Sequence, residues 1–388
     1  MQTSDLRIAL FSGNYNMTVD GANKALNRLV EYLLRTGAQV RVYSPTVANP
    51  DFEPTGDLVS VMSVPIPGRS EYRLPLHLSA SVKRDMEAFA PNIIHISSPD
   101  RVCRQAAAWG RKRNLPVLAS VHTRFESYLP YYNLAFLSPI MVAWLRRLYR
   151  SCDGLIAPTE SFAQVLRAQR MNYDIDIWTR GVDKIIFNPK RRDMELRRAL
   201  NIPDDTPVIA FLGRLVMEKG LDVFADTIDQ LNRRKLPHEV VVIGEGPAEA
   251  WFRNRLPAAK FIGFQTGKEL AGALASADML FNPSVTEAFG NVTLEAMACG
   301  IPVVAARATG SSSIVKHGKT GFLVEPGSIT NFADRLQSYC EDPVLRAEHG
   351  AAALAEAQQY EWDAINQVVA ETYIRMIRQR SVQSATSK

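Results

Sequence analysis

The stretch RIALFSGNYNMTVDGANKALNRLVEYLLRTGAQVRVYSP, residues 7–45, decides the fold class of this chain. Its opening RIALF is a short apolar run that predicts a buried strand, and the closing QVRVYSP predicts another. Between them, apolar residues recur at helical spacing from about Gly21 to Arg35, and Gly37 ends that helix. Strand, helix and strand in this order predict a parallel sheet with helices on both faces.

The same alternation continues through the chain and then restarts. With 388 residues the chain is too long for one ordinary core, and a segment rich in charge and proline, 178–207, is interpreted as the linker. We therefore predict an α/β protein with two Rossmann-like, doubly wound domains facing a cleft. The predicted domains are 1–190, 191–355 and a C-terminal helix within 356–388 that returns to the first domain. The further strand segments are IIHIS, PVLASVH, GLIAPT, PVIAFLGR, EVVVIGEGP, KFIGF, DMLFNPS and PVVAA.

Composition and cysteine usage indicate the class of protein and its compartment. Hydrophobic residues make up 46% of the chain and charged residues 22%, which is typical of a soluble globular protein. The beginning of the sequence lacks the charged and apolar regions of a secretory signal. The four cysteines are scattered, without metal-ligand spacing, and predict a reducing, cytoplasmic setting: Cys103, Cys152, Cys299 and Cys340.

Positive charge is concentrated in the first half. Residues 1–190 carry 23 Lys and Arg against 16 Asp and Glu, whereas residues 191–388 carry 22 against 24. A basic first half favours an anionic partner such as a membrane surface, and the alternative is a solvated basic face. The segment Tyr128–Arg150 has an apolar core too short to cross a membrane, which takes about 20 residues. With aromatic residues at one end and arginines at the other, it suits a membrane interface, and the alternative is a buried core helix.

Two loops of the first half carry candidate binding residues. SGNYNMTVDG holds Gly13 and Gly21 and opens a helix, where backbone N–H groups can receive an anion. It does not match G-x-G-x-x-G, and no acidic residue ends the next strand, which disfavours dinucleotide binding. His122 in SVHTRF stands at a strand end, where it can point toward a ligand. The alternatives are a plain strand–helix turn and a histidine satisfied within the core.

The loop GRLVMEKG in the second half brings two cations together. Arg214 and Lys219 follow a predicted strand and lie five residues apart. A guanidinium fork and an ammonium group on one loop can neutralise a diphosphate. The alternative is a solvated turn.

The stretch TEAFGNVTLE combines two carboxylates with a predicted helix start. Backbone N–H groups near Asn291 would be available to a phosphate, and Glu287 precedes that helix while Glu295 lies inside it. A carboxylate accepts two hydroxyl hydrogen bonds and therefore suits a hydroxyl-rich ligand. Taken alone, Glu295 equally suits a cap or a surface ion pair.

A D-x-D pair offers a possible metal site elsewhere. Asp174 and Asp176 have a spacing that can hold a divalent cation with a nucleotide diphosphate. They alternate with isoleucine as in an edge strand, so we expect no metal there.

Together these segments resemble the retaining GT-B glycosyltransferases of family 4. The resemblance rests on SGNYNMTVDG, SVHTRF, GRLVMEKG, VIGEGP, FIGF and TEAFGNVTLEAMACGIPVVA, and it covers nearly the whole chain. Glu287 and Glu295 match the E-x7-E signature of the family. HISSP, HTRFESYLPYYN, TRGVDKIIFNP and EAMACGIPVVAAR look most similar to its lipid-glycosylating branch. That branch contains plant sulfoquinovosyl-diacylglycerol synthase and bacterial GDP-mannose-dependent α-mannosyltransferases.

The resemblance implies roles for individual residues. Arg214 and Lys219 would hold the donor diphosphate, Glu287 the transferred sugar and Glu295 the ribose. His122 would contact the sugar, and the first loop would close over the diphosphate. The implied catalytic residues are Arg214, Lys219, Glu287 and His122, and the implied donor-binding residues are Gly13, Gly21, Gly213, Phe289, Gly290, Asn291 and Glu295.

The implied activity is transfer, with retention, of a hexose-type sugar (mannose, glucose or a uronic or sulfo-sugar) from a GDP- or UDP-linked donor. The acceptor would be a membrane lipid or lipid-linked molecule at an anionic surface. We expect no cofactor, no obligatory metal and no nucleic-acid partner, and a peripheral position on the inner face of the cell membrane. Alternatives are assembly of a surface polysaccharide and an inactive GT-B binding module. ATGSSSIV, where the family often has Gly-Gly and an acidic residue, and FESY depart from the pattern and leave sugar and acceptor open.

Overall fold

The chain divides into two compact units. The computed structural model describes residues 1–18, 20–66, 69–127, 129 and 134–386. Unit 1 comprises Met1–Glu126, Phe136–Arg180 and Trp362–Lys388, and unit 2 comprises Ser127–Ala135 and Gly181–Glu361. The predicted boundaries lie after residues 190 and 355, whereas the chain passes from one unit to the other after Arg180 and Glu361.

Packing explains where the boundaries lie. Val182 and Phe187 are buried in a core cluster of unit 2, and the backbone N–H of Val182 donates to the Tyr360 carbonyl at 3.2 Å. The Tyr360 ring in turn contacts the Phe289 ring, with centroids 6.0 Å apart. Of segment 178–207, interpreted as the linker, the residues from Gly181 onward pack within unit 2. Charge and proline mark this segment in the sequence, but its few apolar side chains decide its place.

Unit 1 begins with the strand–helix–strand segment that the sequence predicts. The bounds of β1 and α1 agree with the prediction, and the Asp20 side chain caps α1 by accepting from the Asn23 N–H at 2.8 Å. One face of α1 is buried, as its apolar periodicity requires. The elements of unit 1 up to the boundary are β1 (Arg7–Phe11), α1 (Gly21–Arg35), β2 (Gln39–Ser44), β3 (Asp57–Ser60), β4 (Ser63–Ile66), β5 (Arg69–Pro75), α2 (Ala80–Phe89), β6 (Ile93–Ile96), α3 (Arg101–Lys112), β7 (Val117–Ser120), α4 (Ser138–Tyr149), β8 (Gly154–Ala157), α5 (Glu160–Ala168) and β9 (Ile175–Ile177).

These strands form a parallel sheet. Within the described residues its order is β3-β2-β1-β6-β7-β8-β9, and neighbouring strands in it pair in parallel. β6, β7 and β8 are buried along their whole length, which is why they read as continuous apolar runs. The antiparallel hairpin of β4 and β5 is not among the predicted elements, and its apolar residues Val64 and Leu74 are exposed.

Unit 2 has the same architecture, with a core on each face of its sheet. Alternate residues of its first strand belong to two core clusters: Val208 and Ala210 to one, Ile209 and Phe211 to the other. The period-two geometry of a strand explains this division. Its elements are α6 (Met194–Ala199), β10 (Val208–Leu212), α7 (Leu221–Arg233), β11 (Glu239–Ile243), α8 (Glu249–Arg255), β12 (Lys260–Phe261), α9 (Gly267–Ala275), β13 (Met279–Asn282), α10 (Asn291–Ala298), β14 (Val303–Ala306), α11 (Ser311–Ile314), β15 (Gly321–Val324), α12 (Ile329–Glu341) and α13 (Pro343–Ala357).

The last helix, α14 (Trp362–Thr386), belongs to unit 1. Its Asn366 amide donates to the Arg28 carbonyl on α1 at 3.1 Å and accepts from the Trp178 indole N–H at 3.2 Å. Asp363 and Arg35 form an ion pair at 2.6 Å. These contacts fix the N-terminal half of α14 to the body of unit 1.

In both sheets the order in which successive strands are added reverses next to the first strand. The order of unit 2 is β12-β11-β10-β13-β14-β15, so its reversal lies between β10 and β13, and that of unit 1 lies between β1 and β6. Ligands of such sheets bind outside the carboxyl ends of the strands at this switch point. The prediction of two doubly wound α/β domains is confirmed, and the loops after these four strands are where candidate sites are expected.

Candidate active site

Two charged candidate residues of unit 2, Lys219 and Glu287, meet at its switch point. β10 is followed by the loop that contains Gly213 and Arg214, and a 3₁₀ turn, Met217–Lys219, leads into α7. β13 is followed by the loop that carries Glu287. The Lys219 ammonium lies 3.3 Å from the Glu287 Oε1, so the two loops are joined by an ion pair. The structure thus brings together two residues that stand 68 positions apart.

Glu287 is held firmly. Its side chain is only 9% exposed, and the Asn282 amide at the end of β13 lies 3.4 Å from its Oε2. Its backbone carbonyl accepts from the Thr309 hydroxyl and from the Gly310 N–H, each at 3.1 Å. A carboxylate fixed at both its side chain and its backbone is preorganised to bind a hydroxyl-bearing ligand.

Two glycines allow the chain to come this close. Gly290 adopts φ 101°, and a Cβ there would lie 3.3 Å from the Glu287 Oε2. A Cβ on Gly310 would lie 2.7 Å from the Phe289 carbonyl oxygen and 2.9 Å from that of Glu287. No real Cβ atom tolerates the latter distances, so the loop after β14 requires glycine to support the Glu287 loop.

The start of α10 offers backbone donors. Gly290 occupies the position before the helix, where the described contacts show no side-chain cap, and Asn291 is the first helical residue. Free N–H groups at a helix start favour an anion. The Phe289 side chain is buried among core residues, so only its backbone faces this region. Glu295 lies half-buried inside α10, and Arg214 is exposed on its loop.

A cavity of about 120 Å³ lies at the β1/β6 switch point of unit 1, and its described lining includes neither Gly13 nor Gly21. Its lining combines hydroxyl and amide side chains with apolar ones, and among the described lining residues none is Asp, Glu, Lys or Arg. His122 follows β7 and lines this cavity, as predicted for a residue at a strand end. The polar lining includes Ser12, Asn14, Asn23, Ser98, Ser120 and Thr123.

His122 is neutral in this environment. Its Nδ1 lies 2.7 Å from the Arg180 guanidinium and its Nε2 lies 2.9 Å from the Ser120 Oγ. Desolvation lowers the pKa of His122 well below its usual value, and the Arg180 cation and His95 act in the same direction. Burial lowers the pKa of Arg180 to about 9, which leaves it protonated at neutral pH. His122 therefore does not supply a positive charge here.

The first loop of unit 1 differs from the expectation in one respect. The start of α1 at Gly21 is capped by the Asp20 carboxylate, so an anionic ligand there would compete with a side chain of the protein. Gly13 packs against the loop that follows β6, and a Cβ on Gly13 would lie 2.9 Å from the Ser98 Oγ. Gly13 is thus explained by the packing of the loop against its neighbour.

The D-x-D pair has a structural role. Asp174 and Asp176 both bind Arg375 of α14, and Asp176 also accepts from the Thr372 hydroxyl at 2.7 Å. β9, which contains Asp176, is the edge strand of its sheet. Across the described ranges, no group of three or more His, Cys, Asp or Glu side chains is arranged to hold a metal ion.

Several site residues were not found from the sequence. Asn282 and Gly310 support Glu287, and Ser120 and Arg180 contact His122. A polar residue at a strand end was a usable signal for Asn282 and Ser120. Arg180 has no local signal, because its importance depends on a partner 58 residues away.

Comparisons with known proteins decide the family. A family model named Glycosyltransferase Family 4 matches residues 19–184, and one named Glycosyl transferases group 1 matches residues 193–355. The sulfoquinovosyl transferase SQD2 of Arabidopsis thaliana is 32% identical over 92% of this chain and 71% of that protein. This chain belongs to glycosyltransferase family 4. A GDP-mannose-dependent alpha-mannosyltransferase of Mycobacterium tuberculosis is 30% identical over 83% of the chain and 84% of that protein.

Solved structures agree on the fold. Sucrose-phosphate synthase from Thermosynechococcus elongatus has a TM-score of 0.80 at 20% identity, covering 96% of this glycosyltransferase and 99% of that chain. Anabaena HepE, in complex with UDP and glucose, has a TM-score of 0.73 at 21% identity and covers 95% and 99%. At such identities the likeness shows the fold, and the predicted GT-B fold is confirmed. The family membership makes this glycosyltransferase a hexosyltransferase enzyme, as predicted.

Proposed function

We propose that this glycosyltransferase moves a hexose-type sugar from a GDP- or UDP-linked donor to a membrane lipid or lipid-linked acceptor, with retention and without an obligatory metal. The observation that carries the donor part is the Lys219–Glu287 pair at the unit 2 switch point, at 3.3 Å. The ammonium suits a diphosphate and the carboxylate suits sugar hydroxyls. The α10 start, with its backbone N–H groups, lies on the same loop and adds donors for phosphate.

The proposed chemistry follows from these groups. The bond between the anomeric carbon and the donor diphosphate breaks, and a bond to the acceptor hydroxyl oxygen forms on the same face. The acceptor proton passes to a leaving phosphate oxygen. Arg214 and Lys219 would stabilise the negative charge that develops on the diphosphate, which is the role of a metal in other transferases. Transfer should therefore persist after exhaustive treatment with EDTA; loss of transfer that added Mg²⁺ restores would contradict this part.

The identity of the donor can be determined by experiment. The names of the relatives support a hexose-type sugar but differ in which one. One relative is a sulfoquinovosyl transferase, others are GDP-mannose-dependent alpha-mannosyltransferases, and a third group is named D-inositol 3-phosphate glycosyltransferase. A thermal-shift panel should include GDP-mannose, UDP-glucose, a nucleotide-linked uronic acid and nucleotide-linked sulfoquinovose. A donor at 100 times its Kd stabilises the folded chain by about 2.7 kcal/mol. The true donor should do so, and the Lys219→Ala variant should lose the shift.

The lipid part rests on the surface of α4 and the turn before it. Phe136, Ile140 and Trp144 are 72%, 66% and 38% exposed. Ile140 and Trp144 are four residues apart on one face of α4, which Arg147 continues at its C-terminal end, and Phe136 lies four residues before Ile140 in the 3₁₀ turn Ala135–Leu137. An apolar and aromatic stripe next to a cation suits the interface of an anionic membrane. In the same predicted segment, residues 128 and 130–133 lie outside the described residues. No helix among the described residues is long and apolar enough to span a bilayer.

A vesicle assay tests this surface. Wild-type protein should co-sediment with vesicles that contain anionic lipid, and a Phe136→Ser, Ile140→Ser, Trp144→Ser variant should not. The matched control is Val64→Ser with Leu74→Ser, which removes two exposed apolar residues that pair across the β4–β5 hairpin. That control should bind vesicles like the wild type. Transfer to soluble glycans with no vesicle binding would instead favour polysaccharide assembly, and absence of any transfer would favour a binding module.

A further inference from the structure

A chain of buried polar side chains runs through unit 1 toward its cavity. The Tyr373 hydroxyl of α14 lies 2.6 Å from the His95 Nδ1, and the His95 Nε2 lies 2.9 Å from the Ser120 Oγ. The Ser120 Oγ lies 2.9 Å from the His122 Nε2, whose Nδ1 lies 2.7 Å from Arg180. Each link has hydrogen-bond length, so the five residues form one continuous network.

The Arg180 end of the network fixes the proton on His122. A guanidinium group has only N–H donors, so the Nδ1 of His122 must accept. A neutral imidazole carries one proton, which must then be on the Nε2. The His122 Nε2–H therefore donates to the Ser120 Oγ.

The Tyr373 end fixes the direction of the Ser120 hydroxyl. Tyr373 is fully buried, and the described residues give its hydroxyl hydrogen no acceptor other than the His95 Nδ1. His95 then carries its proton on the Nε2 and donates to the Ser120 Oγ. Ser120 thus accepts from two imidazoles, and its own hydrogen is left for another acceptor. Ser120 lines the cavity, so a ligand in the cavity can supply that acceptor.

Arg180 itself does not reach the cavity. It is 4% exposed, its guanidinium lies 4.6 Å from the Trp178 ring centroid, and it donates to the carbonyls of Trp178 and Thr179 at 2.8 and 3.0 Å. These contacts hold the guanidinium in place behind His122. Any effect of Arg180 on a ligand must therefore pass through His122.

We propose that Arg180 is a positioning residue that holds His122 as the Nε2–H tautomer and thereby directs the Ser120 hydroxyl hydrogen to an uncharged oxygen of the substrate. Such an oxygen is a hydroxyl or ether group of a sugar or of a polyol. The identity of that substrate rests on the proposed function, whereas the tautomer of His122 does not. The network gives a hydroxyl donor in a cavity whose described lining has no ionic side chain, which suits a neutral acceptor atom.

The tautomer can be measured directly. In protein labelled with ¹⁵N-histidine, long-range ¹H–¹⁵N spectra, with His122→Gln for assignment, should show a protonated Nε2 and an unprotonated Nδ1 for His122. In Arg180→Met the Nδ1-protonated form should appear, and Arg180→Lys, which keeps a donor, should restore the wild-type pattern. The exposed Arg84→Met is the control and should leave the spectrum unchanged. A protonated Nδ1 in the wild type, or an unchanged pattern in Arg180→Met, would overturn the proposal.

Kinetics separate positioning from structure. Arg180→Met should lower kcat/KM roughly tenfold, because one hydrogen bond to substrate is weakened. In a His122→Ala background the same change should cost less than about twofold, since the residue through which it acts is gone. Equal losses in both backgrounds would show a merely structural role. If no nucleotide sugar supports transfer, the proposed function fails, but the spectra still decide the role of Arg180.

Discussion

In unit 2 a lysine and a glutamate lie 3.3 Å apart at the carboxyl edge of the sheet, whereas in unit 1 the equivalent edge presents hydroxyls, amides and a neutral histidine. Both sheets are parallel and both sites lie at a switch point, so the fold does not account for this contrast. The contrast comes from the residues of the loops that follow the strands. The comparison teaches that one architecture can present charged side chains at one switch point and uncharged hydrogen-bonding groups at another.

The largest expected effect tests the charged site. Lys219→Ala removes the cation that we propose to bind the diphosphate, and we expect transfer to fall about 10²- to 10³-fold, as for loss of a donor to a developing anion. Steady-state kinetics with the donor chosen by the thermal-shift panel measure this effect. Lys268→Ala, an exposed lysine on α9 of the same unit, should keep wild-type activity. If Lys219→Ala retained half of the activity, unit 2 would not act by charge.

A second change disturbs the same site without altering any charge. In Gly310→Ala the new Cβ would press on the carbonyl oxygens of Phe289 and Glu287, at 2.7 and 2.9 Å. We expect about 1–3 kcal/mol of destabilisation and weaker donor binding, measured by denaturation and by thermal shift. Gly272→Ala on α9 is matched, because its Cβ would meet nothing closer than 3.7 Å. Unchanged donor binding in Gly310→Ala would mean that the close contact of Gly310 with the Glu287 loop is not needed to bind the donor.

A third prediction concerns the uncharged network of unit 1. Burial lowers the pKa of His95 from 6.5 to about 3. Between these pH values the unfolded chain binds a proton at this residue and the folded chain does not. Stability should therefore be highest above pH 6.5 and fall as the pH decreases, by about 2 kcal/mol from this residue between pH 7 and pH 5. Urea denaturation at both values should show a smaller loss in His95→Gln. The exposed His77→Gln is the control, and a loss unchanged in His95→Gln would contradict a buried neutral histidine.

The smallest effect concerns a single hydrogen bond in unit 2. Thr309→Val removes the hydroxyl that donates to the Glu287 carbonyl at 3.1 Å. A bond of this kind contributes about 1 kcal/mol, so donor affinity should fall by less than tenfold. Ser313→Ala, whose exposed hydroxyl donates to the Thr309 carbonyl, should have a smaller effect in the same binding assay. If the variant changed only the KM for the acceptor, Thr309 would contribute to binding of the acceptor and not of the donor.

The elements of the fold were predictable because they depend on local patterns. β1 and α1 agree with their predicted bounds, since continuous apolar runs and 3.6-residue periodicity reflect burial directly. The β4–β5 hairpin was missed because its apolar residues are exposed and leave no such pattern. The boundary near Arg180 was misplaced because a few apolar residues, such as Val182 and Phe187, outweigh the charged residues around them.

The sequence by itself determined the two parallel sheets, the glycosyltransferase family and the residues of each charged loop. Only the tertiary structure decided which residues meet: Lys219 with Glu287, Arg180 with His122, and His95 with Tyr373. It also assigned the D-x-D aspartates to Arg375 rather than to an open site. The physical reason is that periodicity and turn chemistry act over a few neighbouring residues. The pairings span 58 to 278 positions and depend on the order in which the strands are assembled.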